Sequence, residues 1–123
     1  MDKLEAIFAR QRALDEFLVR ARDISFDLPT WLEKEVLALL AELGELLQEL
    51  NFRWWKDPRP LNREAIKEEV VDLLHFLVSL CLKLEIGPQE LYEAYLAKNE
   101  ENLRRQQGLS HREGYAAPRR EQV

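Results

Sequence analysis

The chain holds one cysteine, one methionine, two histidines and four glycines in 123 residues. A lone thiol, Cys81, cannot close an internal disulfide, so it reads as a small core residue in a reducing, cytoplasmic setting. The two histidines do not supply the di-iron carboxylate bundle, which needs Glu-x-x-His on two helices. Only Asp72-x-x-His75 comes near it, and His111 stands near the C-terminus. Basic charge is also short: the formal net charge of -5 argues against a non-specific grip on nucleic acid. An anionic ligand would therefore need a metal or a local basic cluster. Long apolar runs are missing as well. The longest, "LLHFLVSLCL", contains His75 and is followed by Lys83 and Glu85, so no membrane span is expected. The opening "MDKLEAIFARQ" lacks the apolar core and cleavage site of a signal peptide. No strand pattern, internal repeat or low-complexity tract is found.

What remains is helical. Hydrophobic residues make up 46% and charged residues 33%, the balance of one folded domain that is marginal alone, so oligomerisation is expected. Leu4, Ile7, Phe8, Leu14 and Leu18 mark a first helix from residue 3 to about 22. A second runs from Pro29 or Thr30 to about 50 behind a wide leucine face, and stops before "FRWWKDPRP". Asn62 caps a third, which runs to the break at Gly87 and Pro88. Pro88 starts a fourth, ending near Gln106. The remaining residues, 107–123, read as a polar tail, mobile unless a ligand or partner orders it.

On the helical wheel Glu35, Glu42, Glu45 and Glu49 form one stripe bordering the apolar face of the second helix. In the third helix Glu68, Glu69, Asp72, His75 and Ser79 share a narrow strip enclosed by Val70, Val71, Leu73, Leu74, Leu77 and Val78. A helix apolar around most of its circumference is expected to be buried, and a buried carboxylate is costly unless paired or bound to a cation. Glu42-x-x-Glu45 and Glu69-x-x-Asp72 each set two carboxylates one turn apart, together an oxygen shell of the kind Mg²⁺ takes. An isolated ExxE is most often a solvated face; two such pairs, one in a nearly apolar helix, leave a metal site and a structural role evenly matched.

Other positions carry two readings each. Gln11 interrupts an apolar stripe, either as an amide that reads a pyrimidine edge or as an interior amide satisfied by backbone. Trp54 and Trp55 cap a core or stack on a base. His75 is a hydrogen-bonded core residue rather than a ligand on its own. Tyr95, Lys98, Asn102 and Arg105 fall on one side of the fourth helix, as a polyphosphate grip or as a surface face balanced by Glu93, Glu100 and Glu101.

The strings "VLALLAELGELLQE", "FRWWK", "EEVVDLLHFLVSL" and "YLAKNEENLRRQ" resemble the all-α dimeric dUTPase family, within the MazG-like NTP pyrophosphohydrolase superfamily. The likeness runs from about Gln11 to Gln106. It implies a four-helix bundle over residues 1–106, assembled as a homodimer or higher oligomer. It also implies Mg²⁺-dependent hydrolysis of dUTP to dUMP and pyrophosphate, with water as nucleophile. Glu42, Glu45, Glu69 and Asp72 would be the metal ligands, with Glu45 also orienting or deprotonating the water. Gln11 and Trp55 would belong to the uracil pocket, and His75 would lie near the sugar or base. Lys98, Asn99, Asn102 and Arg105 would hold the phosphates. Two features depart from the family: Gln48 stands where it often has Asn, and Gly114-Tyr115 comes later than usual. A pyrophosphohydrolase for dCTP or another nucleotide is the rival enzyme, and a non-catalytic helical interaction module the rival outside enzymes.

Overall fold

Each of the first three helices begins where a short polar side chain can accept one of the free N–H groups of a first turn. In the computed structural model, which describes residues 1–118, Asp2 accepts from the Glu5 amide at 2.8 Å and opens α1, Lys3–Ala21. Asp27 does the same for the Thr30 amide at 2.9 Å and opens α2, Leu28–Gln48. The start of α2 thus lies slightly before the expected Pro29 or Thr30. A proline in the first turn forfeits no helical hydrogen bond, so the cap is free to sit ahead of it. Asn62 caps α3, Arg63–Lys83, by accepting from the Ala65 amide at 3.2 Å.

The third helix ends earlier than the Gly87 break suggested. Glu85 takes the left-handed conformation, at φ 57°, and the Ile86 amide reaches back to the Cys81 carbonyl at 2.9 Å, so the closing turn is made by a glutamate rather than a glycine. Between α2 and α3 the Asn51 side chain stands in for a peptide group. It donates to the Arg59 carbonyl at 2.8 Å and accepts from the Arg59 amide at 2.9 Å, which closes the loop that carries Trp54 and Trp55.

Residues 1–87 form one unit, in which α3 packs against both α2 and α1. Helices α1 and α2 do not pack on each other. Among the described residues the buried apolar side chains are Phe8, Val78 and Cys81, and the buried polar ones are Gln11, Glu35 and Ser79. The expectation that α3 is covered around most of its circumference holds only near Val78, Ser79 and Cys81. Val70, Val71, Leu74 and Leu77 stay open in the single chain, as do Leu37 and Leu40 of α2 at 56% and 59% exposure.

The second unit begins at Pro88 and contains α4, Pro88–Gln106. Gly108, at φ 75°, turns the chain after α4, and the Leu109 amide donates to the Arg104 carbonyl at 2.9 Å. Beyond it the Ser110 hydroxyl donates to Glu101 at 2.7 Å, and the Tyr115 ring lies 5.3 Å from the Arg105 guanidinium. Residues 119–123 of the expected tail lie outside the described residues. All four helices answer the all-α expectation, with no strand among the described residues. None of these helices is long and apolar enough to cross a membrane.

Candidate active site

Residues three apart on a helix share a face, so each acidic pair projects two carboxylates to one side. The packing of α2 on α3 then brings the pairs together: one oxygen from each of Glu42, Glu45, Glu69 and Asp72 lies within 4.8 Å of the others. Glu42 and Glu69 are half-buried, Glu45 and Asp72 exposed. The buried Oε2 atoms of Glu42 and Glu69 have no hydrogen-bond partner, and no Lys or Arg forms an ion pair with any of the four among the described residues.

Burial, then the charge of Glu45, and after it Asp72 and Glu69, push the Glu42 carboxyl up to about 7. Burial also raises Glu69, followed by the charges of Glu45 and Asp72. An unpaired carboxylate oxygen in a poorly solvated place needs a proton or a cation. Here the donor set is all oxygen. Opposite ligands of a Mg²⁺ ion stand about 4.2 Å apart at ordinary bond lengths, close to the observed spread of 4.8 Å. The four residues fit that ion.

A pH dependence follows for protein stripped of metal. A carboxyl raised on folding keeps its proton in the folded chain where the unfolded chain has lost it, so rising pH works against folding. For Glu42 the window runs from its ordinary 4.5 to about 7. Asp27 and Glu101, both lowered on folding, lose their contribution only below that window. The thermal midpoint in chelator should therefore fall between pH 5 and pH 7.5, and excess Mg²⁺ should flatten the slope. A midpoint that rises over this range in chelator would contradict the assigned shifts.

Beside the tetrad a cavity of about 510 Å³ opens between α1, α2 and α3. Glu42 and Asp72 belong to both, so cavity and acid cluster are continuous. Leu14, Leu18, Trp31 and Phe76 supply apolar wall, and Gln11, Asp15, Glu35, His75, Ser79 and Lys83 supply polar groups. Asp15 is the hub. Its Oδ1 accepts from Gln11 Nε2 at 2.9 Å, its Oδ2 accepts from the Ser79 hydroxyl, and Lys83 Nζ stands 3.8 Å from that oxygen. Lys83 also lies 4.6 Å above the Trp31 ring.

Of the residues singled out from sequence, Gln11 and His75 line this cavity together with Glu42 and Asp72. Trp55 does not line it; it sits in the loop after α2, 61% exposed and edge-on to Trp54. Lys98, Asn99, Asn102 and Arg105 lie on α4 in the second unit. There Arg105 Nε donates to Glu101 at 3.0 Å, and its NH1 faces Asn102 Oδ1 at 3.5 Å.

Sequence reading assigned no role to Asp15, Glu35 or Lys83. A signal existed: Gln11 and Asp15, His75 and Ser79, and Ser79 and Lys83 are each four apart, and Glu35 stands seven before Glu42 on the same stripe.

Comparison with known proteins follows the same lines. The family model described as dUTPase matches residues 3–90. Over 74 residues, 60% of this chain and 43% of its relative, the sequence is 30% identical to the dCTP pyrophosphatase of Enterobacteria phage LZ5. The dCTP pyrophosphatase of Enterobacteria phage T4 is 28% identical over 87 residues, 59% of this chain and 51% of its own. Uncharacterized protein YpjD of Bacillus subtilis (strain 168) is 34% identical over 62 residues, 49% of this chain and 56% of its own. The chain thus spans about half the length of the curated relatives it matches. No solved structure matches it. The match covers both acidic pairs, the α1 wall of the cavity and the α2–α3 packing that joins them, and the chain belongs to the dUTPase family.

Proposed function

We propose that this protein is a Mg²⁺-dependent pyrophosphohydrolase of a pyrimidine deoxynucleoside triphosphate, releasing the monophosphate and pyrophosphate. The observation that carries this reading is the continuity of an unpaired carboxylate tetrad with a base-sized cavity through Glu42 and Asp72. Two substrates answer to it. dUTP is implied by the resemblance and by the family's description. dCTP is the substrate in the names of the two phage relatives.

Glu42, Glu45, Glu69 and Asp72 would hold the ion. Bound Mg²⁺ would neutralise phosphate charge and polarise the phosphoryl group under attack. Glu45, an exposed member of the tetrad, orients the attacking water and takes its proton as pyrophosphate leaves. Gln11 and His75, which line the cavity, serve the base and sugar, and the resemblance adds Trp55 from the loop after α2. Lys98, Asn99, Asn102 and Arg105 are assigned to the phosphates, where cationic and amide donors give charge-assisted contacts. The setting is cytoplasmic.

The test is a panel of nucleoside triphosphates incubated with Mg²⁺, with products identified by ³¹P NMR. Pyrophosphate from dUTP or dCTP supports the reading. Orthophosphate alone, or no turnover of any nucleotide, rejects it and favours a helical interaction module.

A homodimer belongs to the same proposal. Leu37, Leu40 and Leu43 of α2, with Val70, Leu74 and Leu77 of α3, are too much open apolar surface for a helix pair of this size to leave in water. A second copy would cover it. Sedimentation at micromolar concentration should give twice the chain mass of 14.6 kDa, and Leu40→Glu should shift the protein towards monomer. A well-behaved wild-type monomer would count against the assembly.

A further inference from the structure

Two of the cavity's inward donors are already committed. One Gln11 amide N–H and the Ser79 hydroxyl both go to Asp15, and Lys83 lies between Asp15 and the Trp31 ring. Ser79 also stands beside Glu35, but its single proton is given to Asp15. His75 Nδ1 lies 2.9 Å from the Val71 carbonyl, so in the neutral ring Nδ1 donates there and Nε2 is left as an acceptor. Glu35 then stands out: it lines the cavity, is only 7% exposed, and its Oε2 has no partner. A carboxylate oxygen buried without a partner, in a side chain that lines a cavity, calls for an N–H donor.

Resting on the pyrophosphohydrolase reading above, we propose that Glu35 selects the base by accepting a hydrogen bond from the exocyclic amino group of cytosine, making a cytosine nucleotide the preferred substrate. Uracil carries a carbonyl oxygen at the same ring position. Its lone pairs would face those of Glu35, leaving both groups desolvated and unpaired, and a site built for one hydrogen-bonding group rejects its counterpart on that account. The apolar walls, Leu14, Trp31 and Phe76, offer the ring faces no distinction between the two bases. Glu35 does.

The experiment compares wild type, Glu35→Gln and Glu35→Asp by kcat/KM on dCTP and dUTP with Mg²⁺, and by titration calorimetry with dCMP and dUMP in chelator. Wild type should favour cytosine at least about tenfold in both measurements. Glu35→Gln, whose amide can donate to a carbonyl, should lose most of that preference through a gain on uracil as well as a loss on cytosine. Glu35→Asp should keep the direction of preference with weaker binding. A wild-type preference for uracil overturns the assignment, as does a cytosine-to-uracil ratio unchanged in Glu35→Gln, the outcome expected if Glu35 merely pairs with Lys83. If no triphosphate is hydrolysed the reaction reading fails by itself. Calorimetry still decides the base: selective dCMP binding lost in Glu35→Gln upholds the role of Glu35, and equal or absent binding of the two monophosphates rejects it.

Discussion

Glu45→Gln is expected to lower turnover by about 10²- to 10⁴-fold, the usual worth of a positioned general base, while the helices stay folded. The glutamine keeps the shape of the side chain and one oxygen, but it can no longer take a proton and is a poorer ligand for a hard cation. Mg²⁺ should bind more weakly for the same reason. Stability should move the other way. Glu45 supplies the largest of the charges that raise both Glu42 and Glu69, so its neutralisation relieves repulsion and the metal-free protein should melt higher at pH 7.5. The two readouts together separate a role in the reaction from a general loss of structure. Near-normal turnover would remove Glu45 from the tetrad's chemistry.

Glu69→Lys should have an equally large effect, split more sharply. An ammonium placed among Glu42, Glu45 and Asp72 puts a covalent positive charge where the unpaired Oε2 atoms of Glu42 and Glu69 now lack a partner. Turnover should become undetectable, because a fixed lysine excludes the ion and contributes no ligand of its own. In chelator, however, the variant should melt several degrees above wild type at pH 7.5, and its midpoint should no longer respond to added Mg²⁺. Loss of both activity and stability would mean that the four acids are satisfied in some other way.

Much of this was legible from residue spacing. The Asn62 and Pro88 starts follow from local capping chemistry, which depends on a few neighbouring residues. The meeting of Glu42, Glu45, Glu69 and Asp72 could be anticipated because two i, i+3 pairs on adjacent helices have few other places to point. Less legible was the end of α3: a left-handed Glu85 is not what a glycine two residues further on suggests. The Asp15 hub was half legible: its i, i+4 spacing to Gln11 can be read along α1, but the Ser79 contact spans 64 positions and joins two helices. Periodicity tells which face a residue occupies, not which distant helix that face meets. The same limit applies to Glu35, whose burial depends on the cavity wall and not on its own helix.

That α1 packs on α3 and not on its neighbour α2 also sets the order in which the chain can assemble. The α2–α3 hairpin joins elements close in sequence and closes only the short loop pinned by Asn51 and Arg59, so its entropic cost is small and it forms early. Helix α1 leaves the ribosome before α3 and has nothing to dock on until α3 has been made; the Ser79 contact that fixes Asp15 is among the last interactions available to it. The acid tetrad, carried wholly by the hairpin, would thus be assembled before the wall that bears Gln11 and Asp15. A partly folded chain could gather cations before it could tell one base from another.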